Sequence, residues 1–275
     1  GSVADVLASL GCGKDVDYTK PGKDTKYLFQ HRNVDGVQVY WLTNRTANTE
    51  DVDVTFRVSG LKPEIWNAMT GEISEASYKI ADGKTTVKIH FDPNDALFVV
   101  FRSKTSASEV NIPVKSVSQT AVQGPWQVAF LSGMGAPEST TFDALTDWQN
   151  NDNLYIRYYS GTASYKKDID ITADQLAGEV WLNLGTVKSV AEVIVNGQDL
   201  GILWKTPFRI NISDAVKEGQ NSVEVKITNL WVNRLIGDQR GDAGKFTYTT
   251  QAFYQPTAPL KSSGLIGPVC IESVK

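Results

Sequence analysis

Cysteine is almost absent from this chain of 275 residues: Cys12 and Cys270 are its only two. They lie near opposite ends and fit no metal-ligand spacing, so neither a disulfide framework nor a zinc module is indicated. Read alone, they are two unrelated thiols, and a bridge tying the ends has no support. Histidine is as scarce. His31 and His90 complete no zinc site with those cysteines, and a Ser-His-Asp triad would lack its G-x-S-x-G elbow. There is no basic block, and the formal charge of −4 argues against nucleic acid or an anionic membrane as partner. No apolar run approaches the roughly 18 residues of a membrane helix, so no membrane span is expected. The N-terminus carries no signal-peptide pattern, which says little about compartment if the chain is a piece of a longer precursor. Internal repeats are absent. So is the strand–helix alternation that would make a βα-barrel.

What the chain does have is 41% hydrophobic residues, enough for a sizeable core in one large or two ordinary domains. Residues 179–235 are the most informative stretch. Val180, Leu182 and Leu184 alternate with polar neighbours, as do Val193 and Val195, then Phe208, Ile210 and Ile212, then Val223, Val225 and Ile227. A period of two places each set on one face of a strand. Asn196-Gly197 sits where a type I′ hairpin needs two residues at positive φ. Repeated short strands of this kind predict a β-sandwich or jelly roll, an architecture that more often binds or braces than catalyses.

The run VAEVIVNGQDLGILWKTPFRINISDAVKEGQNSVEVKITN within that stretch resembles the sugar-binding sandwich of glycoside hydrolase family 2. Its continuation NLWVNRLIGDQ narrows the match, together with GPWQVAF at 124–130, LTDWQ at 145–149, YYSGTASYKK at 158–167 and SSGLIGP at 262–268. These resemble the C-terminal part of glycoside hydrolase family 106, the α-L-rhamnosidases. YLFQHRNVDGVQVYWLTN at 27–44 and GLKPEIWNAMTGEI at 60–73 are similar to the region just after that family's catalytic barrel. The resemblance covers nearly the whole chain. It implies a non-catalytic C-terminal fragment whose catalytic glutamates reside in an upstream barrel, so no catalytic residue is carried over. It also implies a periplasmic or secreted location.

The expected fold is all-β, with two β-sandwich domains, the second a galactose-binding-like jelly roll, and a short N-terminal helix. The expected organisation is 1–20 as helix and entry segment, 21–104 as a small antiparallel sandwich, 105–119 as linker or crossover, and 120–275 as the jelly roll. Val3, Val6, Leu7 and Leu10 form one helical stripe after a Ser2 N-cap and before Gly11. Strands are expected at 27–32, 37–43, 52–58, 64–66, 77–80, 85–91 and 97–102. The continuously apolar run 96–101 suits a strand buried on both faces. Residues 237–267, rich in Gly, Pro, Thr and Tyr, read as long surface loops. Trp41, Trp66, Trp126, Trp148 and Trp181 read as core.

Glycoside cleavage needs paired carboxylates. Asp238 and Asp242, flanking Arg240, are the least bland pair, and their plain reading is solvated loop acids. Sugar recognition needs a flat aromatic platform plus directed hydrogen bonds. Residues 229–234, NLWVNR, gather that toolkit directly after a strand. Trp204, Asn229, Trp231, Asn233, Arg234 and Asp238 are the candidate carbohydrate contacts, with structural bracing as the competing reading. Trp204 precedes the strand at 207–212, and strand ends cluster, so Trp204 and Trp231 are expected at one groove. His31 and Arg32 are candidate contacts to a catalytic domain. Arg240-Gly241-Asp242 and the sequons at Asn44 and Asn211 are weak patterns. Asn151-Asp152-Asn153 is the candidate for a structural calcium, and no other metal or cofactor is expected. The expected partners are an upstream catalytic barrel and carbohydrate. The competing functions are an autonomous binding module for plant polysaccharide and a purely structural pair of sandwiches.

Overall fold

The computed structural model describes residues 2–275, and its fold is all-β with four short α-helices among those residues. It forms two compact units, one ending at Val114 and one spanning Lys115–Lys275.

The first unit opens with α1 (Val3–Ser9), capped by Ser2 and Asp5 in a reciprocal capping box. Ten strands follow: β1 (Val16–Tyr18), β2 (Tyr27–Val34), β3 (Val37–Asn44), β4 (Glu50–Phe56), β5 (Leu61–Trp66), β6 (Ile73–Glu75), β7 (Tyr78–Ala81), β8 (Lys84–Phe91), β9 (Ala96–Lys104) and β10 (Glu109–Val110). They build two antiparallel five-stranded sheets, β1-β4-β8-β7-β10 and β2-β3-β9-β5-β6. Tyr40, Leu42, Val54, Phe56, Val87, Phe91, Val99 and Phe101 from both sheets fill the space between them. Every second residue faces inward, which is why Tyr40 and Leu42 are buried while the intervening Trp41 is 36% exposed. Trp41 is therefore not core. Trp66, its register neighbour two strands away, is likewise only partly buried on that outer face.

Asp15 ties the entry segment to this sandwich. Its carboxylate lies 2.8 Å from His31 Nδ1 and accepts from the Tyr40 hydroxyl at 3.3 Å, and the His31 ring stacks on Tyr40 at 3.9 Å. On the other sheet, His90 Nδ1 is 2.7 Å from Asp51 and its Nε2 is 3.8 Å from Asp92. Asp92 and Asp51 raise the His90 pKa to about 9, against partial burial. The unfolded value is about 6.5. The contribution to stability is thus complete below about pH 6.5 and is lost as pH rises through about 9. The Tm difference between the native chain and His90→Gln should be widest near about pH 6 and close above about pH 9. A difference that ignores pH counts against this pairing.

The second unit contains β11 (Val117–Ala121), β12 (Trp126–Phe130), β13 (Ser139–Phe142), α2 (Leu154–Arg157), β14 (Thr162–Ile171), α3 (Ala173–Leu176), β15 (Glu179–Asn183), β16 (Thr186–Lys188), β17 (Val190–Val195), β18 (Gln198–Leu203), β19 (Arg209–Asn211), β20 (Gly219–Thr228), α4 (Val232–Arg240), β21 (Gly264–Gly267) and β22 (Cys270–Val274). A six-stranded sheet, β13-β12-β14-β20-β17-β18, and a four-stranded sheet, β11-β22-β15-β19, contribute to one continuous core. β16 and β21 form a small third sheet. Trp126 and Trp148 are buried in the core, and the Trp148 indole donates to the Tyr165 hydroxyl at 2.6 Å. Trp181 departs from expectation. It alternates with buried Val180 and Leu182, so it faces outward, with the Arg209 guanidinium 4.0 Å from its ring centroid.

The segment after residue 236 also differs from the expected loops. Gly237 to Arg240 complete α4, and Gly264–Gly267 form β21. No helix of the described residues is long and apolar enough to cross a membrane.

Candidate functional site

Antiparallel register aligns Phe130, Ala163, Ile227, Ala191 and Leu203 in one row across β12, β14, β20, β17 and β18. The loops at that end of the sheet therefore leave from neighbouring points. Two strand spacings separate Leu203 from Ile227, roughly 10 Å. Trp204 follows Leu203 directly, and Trp231 stands four residues beyond Ile227. Both emerge at the same end, 58% and 52% exposed. Leu230 and Leu131, from loops of the same row, are also exposed.

The polar candidates are placed differently. Asn229 is buried. Its Oδ1 accepts from the Gly161 amide at 2.9 Å, and its Nδ2 donates to the Tyr159 carbonyl at 2.8 Å and to Ser263 Oγ at 3.2 Å. Asn233, on the first turn of α4, makes a two-way clasp with Lys261, donating to its carbonyl and accepting from its amide, each at 2.7 Å. Arg234 is fully enclosed. Its Nε lies 2.9 Å from Asp238 Oδ1, one helical turn on, and its guanidinium carbon lies 4.9 Å from the Phe246 ring centroid. Asp238 accepts from the amides of Phe246 and Thr247 at 3.1 and 2.9 Å, and from the Thr247 hydroxyl. Burial opposes its ionisation, but those three donors and the Arg234 guanidinium hold its carboxyl below the usual range. Asn229, Asn233 and Asp238 thus spend their polar atoms on hydrogen bonds within the fold, and Arg234 is held by its ion pair with Asp238.

What they hold is the loop between α4 and β21. Arg240 fastens its far side by donating to the carbonyls of Pro256 at 2.8 Å and Ala258 at 3.1 Å, and Asp242 accepts from the Tyr158 hydroxyl at 3.0 Å. That loop displays Tyr248 at 85% and Phe253 at 64% exposure. Neither residue was singled out from the sequence, although aromatics within a polar Gly/Pro/Thr segment are a usable signal. The arrangement is a pinned loop and two tryptophans offering apolar ring faces to solvent. Exposed indoles of this kind suit the C–H faces of pyranose rings.

In the first unit, His31 is engaged by Asp15 and by Gln38, whose Oε1 is 2.8 Å from Nε2, whereas Arg32 is exposed. The side-chain oxygens of Asn151 and Asn153 accept local backbone amides in capping turns. Among the described residues, no group of three or more His, Cys, Asp or Glu side chains is arranged to hold a metal.

Comparison with known proteins agrees with the architecture. Residues 1–80 match a family model described as alpha-L-rhamnosidase, and residues 142–254 match the galactose-binding domain-like model of glycosyl hydrolase family 2. A solved rhamnosidase from Novosphingobium sp. PP1Y superimposes over 98% of this chain with a TM-score of 0.92 and 36% identity. A curated protein of Formosa agariphila, provisionally named a beta-glucuronidase, is 37% identical over 186 residues, or 58% of this chain. The chain spans only 26% of the first relative's length and 16% of the second's. It is thus a pair of β-sandwich units similar to the α-L-rhamnosidase family at its start, to the galactose-binding-like domain of glycosyl hydrolase family 2 in its second unit, and to a bacterial rhamnosidase over nearly its whole extent.

Proposed function

We propose that this chain is the non-catalytic C-terminal part of an α-L-rhamnosidase-like glycoside hydrolase of the periplasm or the exterior, which braces an upstream catalytic barrel and contacts substrate sugar through Trp204 and Trp231. The supporting observation is that these two indoles leave one sheet end exposed while their polar neighbours are consumed in holding loops. In this reading Asn229, Asn233, Arg234 and Asp238 position the platform and do not themselves touch sugar. Aromatic stacking contributes on the order of 1 kcal/mol beyond area burial, about fivefold in affinity.

The full gene product carrying Trp231→Ala should show a KM for a rhamnose-rich polysaccharide raised roughly fivefold, with kcat on a small aryl α-L-rhamnoside unchanged. An unaltered KM for the polymer in both Trp231→Ala and Trp204→Ala removes the sugar contact and leaves only bracing. An autonomous binding module would use the same two tryptophans. It requires the isolated 275-residue chain to be retained on rhamnose-rich pectin, and Trp231→Ala to elute early.

A further inference from the structure

The outer face of the sheet β2-β3-β9-β5-β6 has the wrong chemistry for a surface meant to stay wet. Register places Gln30, Trp41, Phe98, Trp66 and Ile73 in one row across all five strands. The next row on the same face runs Arg32, Val39, Val100, Glu64 and Glu75. An antiparallel sandwich normally alternates apolar-in with polar-out. Here β9 is apolar on both sides, and the face it shares with Trp41 carries exposed Leu28, Trp41 and Ile73. Its one buried charge is already neutralised: Glu64 accepts from Arg102 Nε at 2.9 Å and from the Trp66 indole at 3.0 Å, while Arg102 lies over the Trp66 ring at 5.2 Å. A face rich in Trp, Arg and aliphatics, with its carboxylate pre-paired, has the composition of a protein interface core. The aliphatic share, and the guanidinium already on Trp66, fit a sugar platform poorly.

A second, independent observation indicates the occupant. All four apolar residues of the N-terminal helical stripe, Val3, Val6, Leu7 and Leu10, are exposed, although the helix is fully capped. Five residues separate the end of α1 from Asp15, which is bonded to His31 on β2, the edge of that same sheet. Those six Cα steps span at most roughly 20 Å, so the end of α1 stays within that reach of Asp15 at the β2 edge, where His31 stacks on Tyr40 toward the inner face. The solved rhamnosidase carries about three-quarters of its length outside the matched region, and the curated relative more than four-fifths. We infer that the Trp41–Phe98–Trp66–Ile73 face and the α1 stripe together dock a folded domain of the same polypeptide that precedes Ser2 and presents an apolar patch to them. This rests on the functional reading above and assigns its bracing surface.

Hydroxyl-radical footprinting of the 275-residue chain and of the full gene product tests it. Side-chain oxidation of Leu28, Trp41 and Ile73 should be at least tenfold slower in the longer protein. Trp41→Thr, shown to fold by an unchanged Tm in the shorter chain, should restore labelling of Leu28 and Ile73 in the full product. Equal labelling of the two proteins overturns the docking face while leaving the bracing function standing on another surface. A gene product with no glycosidase domain ahead of Ser2 overturns both. Protection of Trp41 in the short chain alone, by self-association or by soluble rhamnose-rich polysaccharide, shows a second copy or a sugar as occupant and overturns the assignment.

Discussion

Asp238→Ala is expected to destabilise the second unit by about 3–5 kcal/mol, because it leaves a buried arginine without its counter-ion. The Arg234 and Asp238 side chains are 0% and 2% exposed, so solvent screens little of the loss. Arg234 has few alternatives: its Nη2 reaches only the Gly244 carbonyl at 3.4 Å, and among the described residues its Nε and Nη1 have no hydrogen-bond partner, Nε being held to Asp238 as an ion pair. The same substitution frees the Phe246 and Thr247 amides and with them the loop that displays Tyr248 and Phe253. Urea unfolding of the second unit should show the lost stability, and limited proteolysis should cut first within residues 245–258. Because the Asp238 carboxyl is held below its unfolded value of about 3.9, its contribution is present above that pH and lost as pH falls through the lowered folded value. The gap between native and Asp238→Ala chains should therefore narrow in strong acid. Replacing both partners, Arg234→Met with Asp238→Leu, should cost less than the sum of the single changes.

Gly264→Ala should cost about 2–5 kcal/mol, the sum of left-handed strain and overpacking. Gly264 has φ +100°, and a Cβ there would stand 2.6 Å from Nε1 of the fully buried Trp148. That nitrogen is committed to Tyr165, and the adjacent Ser263 is fastened by Asp147 through its amide at 2.9 Å, so neither side can yield cheaply. Gly197 provides the comparison. Its φ is +82° but nothing lies within 4 Å of its would-be Cβ. Gly197→Ala should therefore cost only the strain, about 1–2 kcal/mol. Equal penalties at the two glycines would mean that the Trp148 contact contributes nothing.

The strands were legible because their partners impose a period of two, and because Asn196-Gly197 announced its turn. Asp35-Gly36 and Asp82-Gly83 carry the same signal, with both residues of each pair at positive φ. α4 was hidden for a physical reason. Asn233, Arg234 and Asp238 are stabilised by Lys261, Phe246, Thr247 and each other, and most of those partners are distant in sequence. Only the Arg234–Asp238 spacing of four was visible. A polar cluster after a strand looks the same whether it faces ligand or locks a loop, so the toolkit reading could not separate the two. The tryptophans erred the other way. Alternation alone places Trp41 opposite Tyr40 and Leu42, and Trp181 opposite Val180 and Leu182, so the outward direction of both indoles is legible in the pattern that a core reading of tryptophan overlooks.

The central claim is that these β-sandwich units assist a reaction carried out elsewhere in a longer glycoside hydrolase. The most direct measurement is hydrolysis of an aryl α-L-rhamnoside by the homogeneous 275-residue chain, run beside the full gene product at equal molarity. Turnover by the longer protein and none above background by the chain is the expected result. Hydrolysis by the chain alone that persists through purification to constant specific activity contradicts the account.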